Sequence, residues 1–157
     1  MVRIRPFYSH ALIRVMHEAT ARFPANFDNL SRVLGFVTGA AMRAGLTPDQ
    51  CRRVELVIEE LFTNTVNYGY STEAQSCSES EAEVWLVASE TAQGLEVIYE
   101  DAASPFDPTG VDSGLAETRV ARGEIGGLGR VLVNTLPASV KYTRESNRNR
   151  IVLQFER

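Results

Sequence analysis

The chain has 157 residues, of which 44% are hydrophobic and 23% are charged, and its formal net charge is -4. This length suits one domain with a substantial hydrophobic core and is too short for two. The acidic balance argues against a nucleic-acid-binding protein, which normally carries a basic face. Arg144, Arg148 and Arg150 cluster near the C-terminus, where the simplest interpretation is a solvated hairpin.

Membrane insertion and secretion are not indicated. No apolar run approaches the roughly 20 residues that a membrane-spanning helix needs, and residues 1–16 lack the long apolar segment of a signal peptide. Cys51 and Cys77 show neither metal-like spacing nor a framework of pairs. We interpret both as free thiols in a reducing compartment, and therefore expect a cytoplasmic protein.

The first half of the chain predicts one strand and two helices. We expect residues 1–18 to be an N-terminal extension of a single domain at 19–157, with an edge strand at 20–24 that ends at a proline. Apolar residues at helical spacing predict a helix from about 28 to 44, followed by a C-capping glycine. The run Thr-Pro-Asp-Gln then forms a capping box, which predicts a helix from 48 to about 67.

The second half predicts two hairpins around a long loop. After a Ser/Glu-rich loop at 71–82, strands are expected at 83–88 and 95–100. The glycine- and proline-rich segment 101–125 is long enough to suggest a functional loop. A helix at 127–136 and strands at 140–143 and 151–155, joined by a turn at 146–149, complete an α+β architecture. We expect a two-layer sandwich of an antiparallel or mixed sheet with helices on one face.

Glu60 and Asn64 form the first candidate motif. Four residues apart on a helix, their side chains project from the same face. A carboxylate and an amide beside an apolar stripe are costly to bury without partners, and a hydrated Mg²⁺ on a phosphate chain would suit both. Alone, the spacing is more typical of two solvent-facing polar residues.

The second candidate motif is a glycine-rich helix start at residues 126–129. Glycines permit close backbone approach, and free amides at a helix N-terminus bind phosphate. The pattern is neither a dinucleotide fingerprint nor a Walker loop, and alone it is compatible with a mobile turn. A third motif, at residues 99–108, places Asp101 at a strand end before a tight turn, which can hold a carboxylate in a pocket.

Taken in order, these motifs resemble the GHKL superfamily of ATPases and kinases. Residues 59–70 look like the N-box of its anti-sigma factor serine kinase branch, represented by RsbW and SpoIIAB, and residues 105–108 look like the G1 region. Residues 126–133 look like the G2 region, and 140–142 with 149–150 look like the final hairpin. The resemblance covers nearly the whole chain and implies the Bergerat ATP-binding fold.

The resemblance also implies roles for individual residues. Asn64 would coordinate Mg²⁺, Glu60 would be the general base, and Asp101 would accept a hydrogen bond from the adenine amino group. The loop at 109–125 would be the ATP lid. The nucleotide-binding set implied in this way is Asn64, Asp101, Ala103, Phe106, Gly126, Gly127, Leu128 and Gly129.

The implied function is that of an ATP-dependent serine/threonine kinase that phosphorylates a STAS-domain anti-anti-sigma protein, binds a sigma factor, and forms a homodimer through its sheet. One rival is a non-catalytic binding module with a weak ATP site. Ala103 favours this rival, because the family commonly has glycine there: the methyl group would narrow the approach to adenine, or the turn would require a positive φ. A second rival, a histidine-kinase catalytic domain, needs a helical hairpin that cannot fit before residue 28.

Overall fold

The computed structural model describes residues 15–70, 82–110 and 127–157. The strands in these ranges are β1 (Val15–Pro24), β2 (Glu83–Thr91), β3 (Gly94–Asp101), β4 (Ser139–Glu145) and β5 (Arg148–Glu156). The helices are α1 (Leu30–Arg43), α2 (Pro48–Asn64) and α3 (Gly127–Thr135). A short 3-10 helix (Phe27–Asn29) precedes α1, and a π turn (Thr65–Gly69) follows α2.

The five strands form one sheet in the order β1-β2-β3-β5-β4, and each neighbouring pair is antiparallel. Side chains alternate between the two faces of each strand. On β3, Leu95, Val97 and Tyr99 are buried, whereas the residues between them are half-exposed. The buried face joins the apolar faces of α1 and α2 in a single core, which confirms the predicted two-layer α+β architecture.

The helix boundaries follow local capping signals. Thr47 Oγ1 accepts a hydrogen bond from the Gln50 amide at 3.3 Å, and the Thr47 amide donates to Gln50 Oε1 at 2.8 Å, which confirms the capping box. Gly45 has a φ of +78° after α1, as a C-capping glycine requires. The expected helix at 28–44 begins two residues late because the 3-10 helix precedes it, and the expected helix at 48–67 changes to a π turn after Asn64.

The strand boundaries differ more from the expectation. The edge strand begins at Val15 instead of residue 20 and pairs with β2 along its length. The turn of the last hairpin is shorter than expected, because Ser146 and Asn147 adopt φ values of 49° and 62°. Two consecutive residues of positive φ form the tight turn that matches the twist of a hairpin.

The basic cluster is held within the fold and is not simply solvated. The Arg148 guanidinium lies 4.0 Å from the ring centroid of Trp85, and Arg150 pairs with Glu100. Arg144 donates to the carbonyl oxygen of Ala103 at 2.9 Å. The three arginines therefore stabilise the sheet surface and the turn after β3.

Several expectations fall outside the described residues. They include the loop at 71–81, most of the lid at 109–125, Gly126, Cys77 and residues 1–14. Cys51 is a buried free thiol whose Sγ contacts the carbonyl oxygen of Leu46 at 3.7 Å. In the part of the chain that is described, no helix is both long and apolar enough to cross a membrane.

Candidate functional site

A cavity of about 360 Å³ opens between α2 with its π turn, the end of β3, the start of α3 and β5. Four of the residues expected to bind nucleotide line it: Asn64, Asp101, Ala103 and Phe106. Two helices and two strands therefore bring together motifs that lie far apart in the sequence. The cavity has a distinct group of polar side chains at each of its ends.

Asp101 forms one end and is held by several donors. It is 4% exposed; its Oδ1 accepts from Asn149 Nδ2 at 2.7 Å and from the Ala103 amide at 3.0 Å. Its Oδ2 lies 3.0 Å from Thr65 Oγ1, which lies 2.8 Å from the Tyr99 hydroxyl. Because a threonine hydroxyl has one hydrogen, Tyr99 donates to Thr65 when Thr65 donates to Asp101. These contacts fix the orientation of the carboxylate.

Burial raises the pKa of Asp101 above its ordinary value of 3.8. Hydrogen bonds from Asn149, Thr65 and the Ala103 amide, together with the nearby charge of Arg144, offset part of this effect. Desolvation disfavours a charged carboxylate, and donors favour it. Burial also raises the pKa of the Tyr99 hydroxyl well above its usual range, so Tyr99 remains a hydrogen-bond donor at neutral pH.

The raised pKa of Asp101 predicts a pH-dependent stability. A group whose pKa is higher in the folded state contributes stability that is fully present below the unfolded-state pKa and is lost as the pH rises through the folded-state pKa. We therefore expect wild type to gain stability relative to Asp101→Asn as the pH is lowered from 7 towards 4. Urea unfolding of both proteins across this range measures the difference. A difference that stays constant with pH would contradict the assignment.

Asn64 lines the other end and binds Glu60, which is not itself among the lining residues but lies against α3. Asn64 Nδ2 donates to Glu60 Oε1 at 2.7 Å across one helical turn. A Cβ atom on Gly129 would lie only 1.8 Å from the same Oε1, so the carboxylate rests directly on the first turn of α3. That turn contains no acidic residue of its own, and helix N-termini favour anions. Glu60 thus occupies a position suited to negative charge.

The remaining predicted site residues lie around the start of α3. Gly127 begins the helix, and the Leu128 side chain is 66% exposed, so this leucine can contribute to a phosphate site through its backbone only. Phe106 lies under the guanidinium of Arg130, with 5.3 Å between Cζ and the ring centroid.

Ala103 fits its turn without backbone strain. Among the described non-glycine residues, only Ser146 and Asn147 have positive φ, so the expectation that position 103 could require a positive φ is wrong. The methyl group of Ala103 faces Gly69 of the π turn, where an added Cβ would lie 2.8 Å from it. The Ser104 amide also donates to the Gly69 carbonyl oxygen at 3.2 Å. The missing side chain at position 69 therefore makes room for the methyl group.

Sequence reasoning missed Asn149, which is 2% exposed and organises the turn after β3. In addition to Asp101, its Nδ2 donates to the Ser104 carbonyl oxygen at 2.9 Å. Its Oδ1 accepts from the Phe106 amide at 3.2 Å and from Arg144 at 2.9 Å. Asn149 lies opposite Asp101 in the β3–β5 register, and only that register would have indicated its role.

Comparison with known proteins agrees with this geometry. A family model described as the histidine kinase-like ATPase domain matches residues 23–155. A solved structure of the RsbU and RsbW domains of Rv1364c from Mycobacterium tuberculosis matches with a TM-score of 0.52 and 12% sequence identity. The match covers 88% of this chain and 33% of that chain, and at this identity it concerns the fold. No curated protein matches.

The matched residues include both ends of the cavity and all three described helices. The family match agrees with the superfamily inferred from the motif order, and the solved structure shares its fold. The chain therefore belongs to the histidine kinase-like ATPase domain family.

Proposed function

We propose that this chain binds ATP with Mg²⁺ and acts as a serine/threonine protein kinase in anti-sigma regulation, with a serine of a STAS-domain protein as acceptor. The observation that carries this proposal is the cavity itself, with buried Asp101 at one end and Asn64 at the other, where Asn64 binds Glu60 beside α3. Family membership supports the ATPase part. The motif resemblance in residues 59–70 and 126–133 supports the kinase branch.

The residues present fit MgATP. Asn64 uses its Nδ2 to bind Glu60, which leaves Oδ1 as an oxygen ligand for a hard cation, and Mg²⁺ typically takes only one or two ligands from protein. Asp101 offers a fixed, buried acceptor for an amino group of the base. The start of α3 offers backbone amides for the phosphates.

The chemistry assigned to this chain's residues is proton transfer and positioning. Bound MgATP would supply the phosphoryl group and neutralise part of its charge. Glu60 would accept the proton of the acceptor hydroxyl while the bond from that oxygen to the γ-phosphorus forms and the bond to the bridging oxygen of ADP breaks. The hydrogen bond from Asn64 fixes the Glu60 carboxylate for this role. Such reactions depend mainly on positioning and charge stabilisation.

Asn64→Ala is expected to weaken ATP binding in the presence of Mg²⁺ by about tenfold and to leave the affinity without Mg²⁺ unchanged, because it removes one oxygen ligand. Calorimetric titration with and without Mg²⁺ measures both values. Asn67→Ala is the matched control, since it makes the same change at an exposed position outside the cavity lining. Equal affinity of wild type and Asn64→Ala for MgATP would show that the metal assignment is wrong.

A rival proposal is a non-catalytic module that docks a protein partner. Leu128 and Val131 lie three residues apart on one face of α3 and are 66% and 53% exposed, and exposed apolar patches are typical of docking sites. This surface suits a kinase acceptor as well as a docking partner.

Calorimetric titration of wild type with ADP and ATP, with and without Mg²⁺, separates the kinase from the non-catalytic module. Micromolar Mg²⁺-dependent binding supports the kinase, and no binding by a folded sample supports the module.

A further inference from the structure

We propose that Arg130 binds the α- and β-phosphates, the part of the nucleotide between the base and the transferred phosphate. This inference rests on the proposed ATP-binding function and gives a role at that site to a residue that lies within the 126–133 motif but was assigned none by the resemblance. Arg130 belongs to the first turn of α3 and lines the cavity. Among the described lining residues, it is the one basic side chain.

The charge of the cavity calls for such a cation. Asp101 lines one end, and the Glu60 carboxylate lies beside the other end, bonded to the lining residue Asn64. A polyphosphate chain between two carboxylates is repelled unless positive charge lies close to it, because the interaction of like charges strengthens as water is excluded. Mg²⁺ at Asn64 would serve the end near Glu60. The middle of the cavity needs a second positive group.

Arg130 lies where that group is required. Its guanidinium is 5.3 Å from the Phe106 ring centroid, and its NH1 and NH2 lie 3.3 and 3.4 Å from the carbonyl oxygens of Gly110 and Asp107. The guanidinium therefore faces the segment that follows Asp101 in the chain. Gly129, the residue before Arg130, contacts Glu60. A nucleotide with its base at Asp101 and its γ-phosphate at Glu60 would pass Arg130 with its α- and β-phosphates.

The guanidinium of Arg130 is chemically suited to an anion. Its bonds to the carbonyl oxygens of Gly110 and Asp107 are long and exposed, and arginine bonds to phosphate oxygens are charge-assisted and stronger. The Phe106 ring holds the guanidinium at the cavity through a cation–π contact, so less side-chain freedom is lost on binding. A planar guanidinium can contact two phosphate oxygens at once.

A simpler explanation is that Arg130 only straps the segment 107–110 to α3. The two explanations differ in which part of the nucleotide loses affinity, so we would titrate wild type and Arg130→Met with adenosine, ADP and ATP. Arg130→Lys keeps the charge without the fork. Arg53→Met is the matched control, because Arg53 is half-exposed on α2 and pairs with Asp49 at 3.0 Å. Melting temperatures report whether each variant is folded.

Phosphate binding by Arg130 predicts that Arg130→Met loses about 10- to 30-fold in affinity for both ADP and ATP and changes adenosine binding by less than about twofold. Arg130→Lys should lie between wild type and Arg130→Met, and Arg53→Met should match wild type. An equal loss of affinity for adenosine would support the purely structural role of Arg130 and overturn the proposal. A loss of affinity confined to ATP, or no loss for any of the three ligands, would also overturn the proposal. If wild type binds ADP, each of these results tests the role of Arg130 and not the ATP-binding function. A folded wild type that binds no nucleotide overturns both this proposal and the ATP-binding function.

Discussion

Asp101→Asn is expected to bind ADP about 10- to 100-fold more weakly than wild type, because a hydrogen bond to a charged acceptor contributes about 1.5 to 3 kcal/mol. The carboxylate is 4% exposed and its orientation is fixed by Asn149, Thr65 and the Ala103 amide. An asparagine keeps the shape of the side chain but replaces one acceptor oxygen by a donor. A donor at that place faces the amino group of adenine unfavourably.

Calorimetric titration with ADP and GDP checks this expectation. Wild type should prefer ADP, and the preference should shrink in Asp101→Asn, because the 6-position of guanine carries an acceptor that a donor can satisfy. Asp49→Asn is a suitable control, since Asp49 is 76% exposed at the start of α2. Equal binding of ADP and GDP by wild type would refute the assignment of Asp101 to the base.

Glu60→Gln is expected to slow phosphoryl transfer by about 10²- to 10⁴-fold, the usual contribution of a general base, with ADP affinity nearly unchanged. A glutamine retains an oxygen that can accept the 2.7 Å hydrogen bond from Asn64, so the local geometry should persist. It cannot take a proton from the attacking hydroxyl. The measurement is transfer of labelled γ-phosphate to a purified STAS-domain protein, or to water in a single turnover.

The neighbouring residue provides the control for this experiment. Glu59 is exposed on the same helix, and Glu59→Gln makes the same change in charge one position away. It should transfer phosphate at the wild-type rate. If Glu60→Gln also retains the full rate, Glu60 is not the base, and the carboxylate at the start of α3 has another role.

Local signals in the sequence predicted much of the fold. The capping box at Thr47 and the C-capping Gly45 depend on neighbours within a few residues, so the helix boundaries that they mark were predictable. The early start of β1 involves pairing with β2, and the π turn after Asn64 involves the hydrogen bond from Thr65 to Asp101. Tertiary contacts of this kind leave little trace in local sequence.

The candidate site was likewise predictable only in part from the sequence. The spacing of Glu60 and Asn64 placed both on one helical face, and the structure has them hydrogen-bonded. Thr65 follows Leu61 at helical spacing, which is typical of a residue on the apolar face, but its hydroxyl lies between Tyr99 and Asp101. Asn149 reaches the cavity because of the β3–β5 register. Arg130 reaches it because of the direction of α3. Neither property follows from residue type or spacing.

The contact between Gly69 and Ala103 restricts the order in which these two positions can change during evolution. Glycine at both positions leaves a gap, alanine at one of them fills it, and alanine at both would place two methyl carbons 2.8 Å apart. A lineage can therefore move the methyl group from one chain segment to the other most easily through an ancestor with two glycines. An alanine in the turn after the aspartate is therefore not enough to classify a relative as inactive. The residue that ends the π turn has to be compared at the same time.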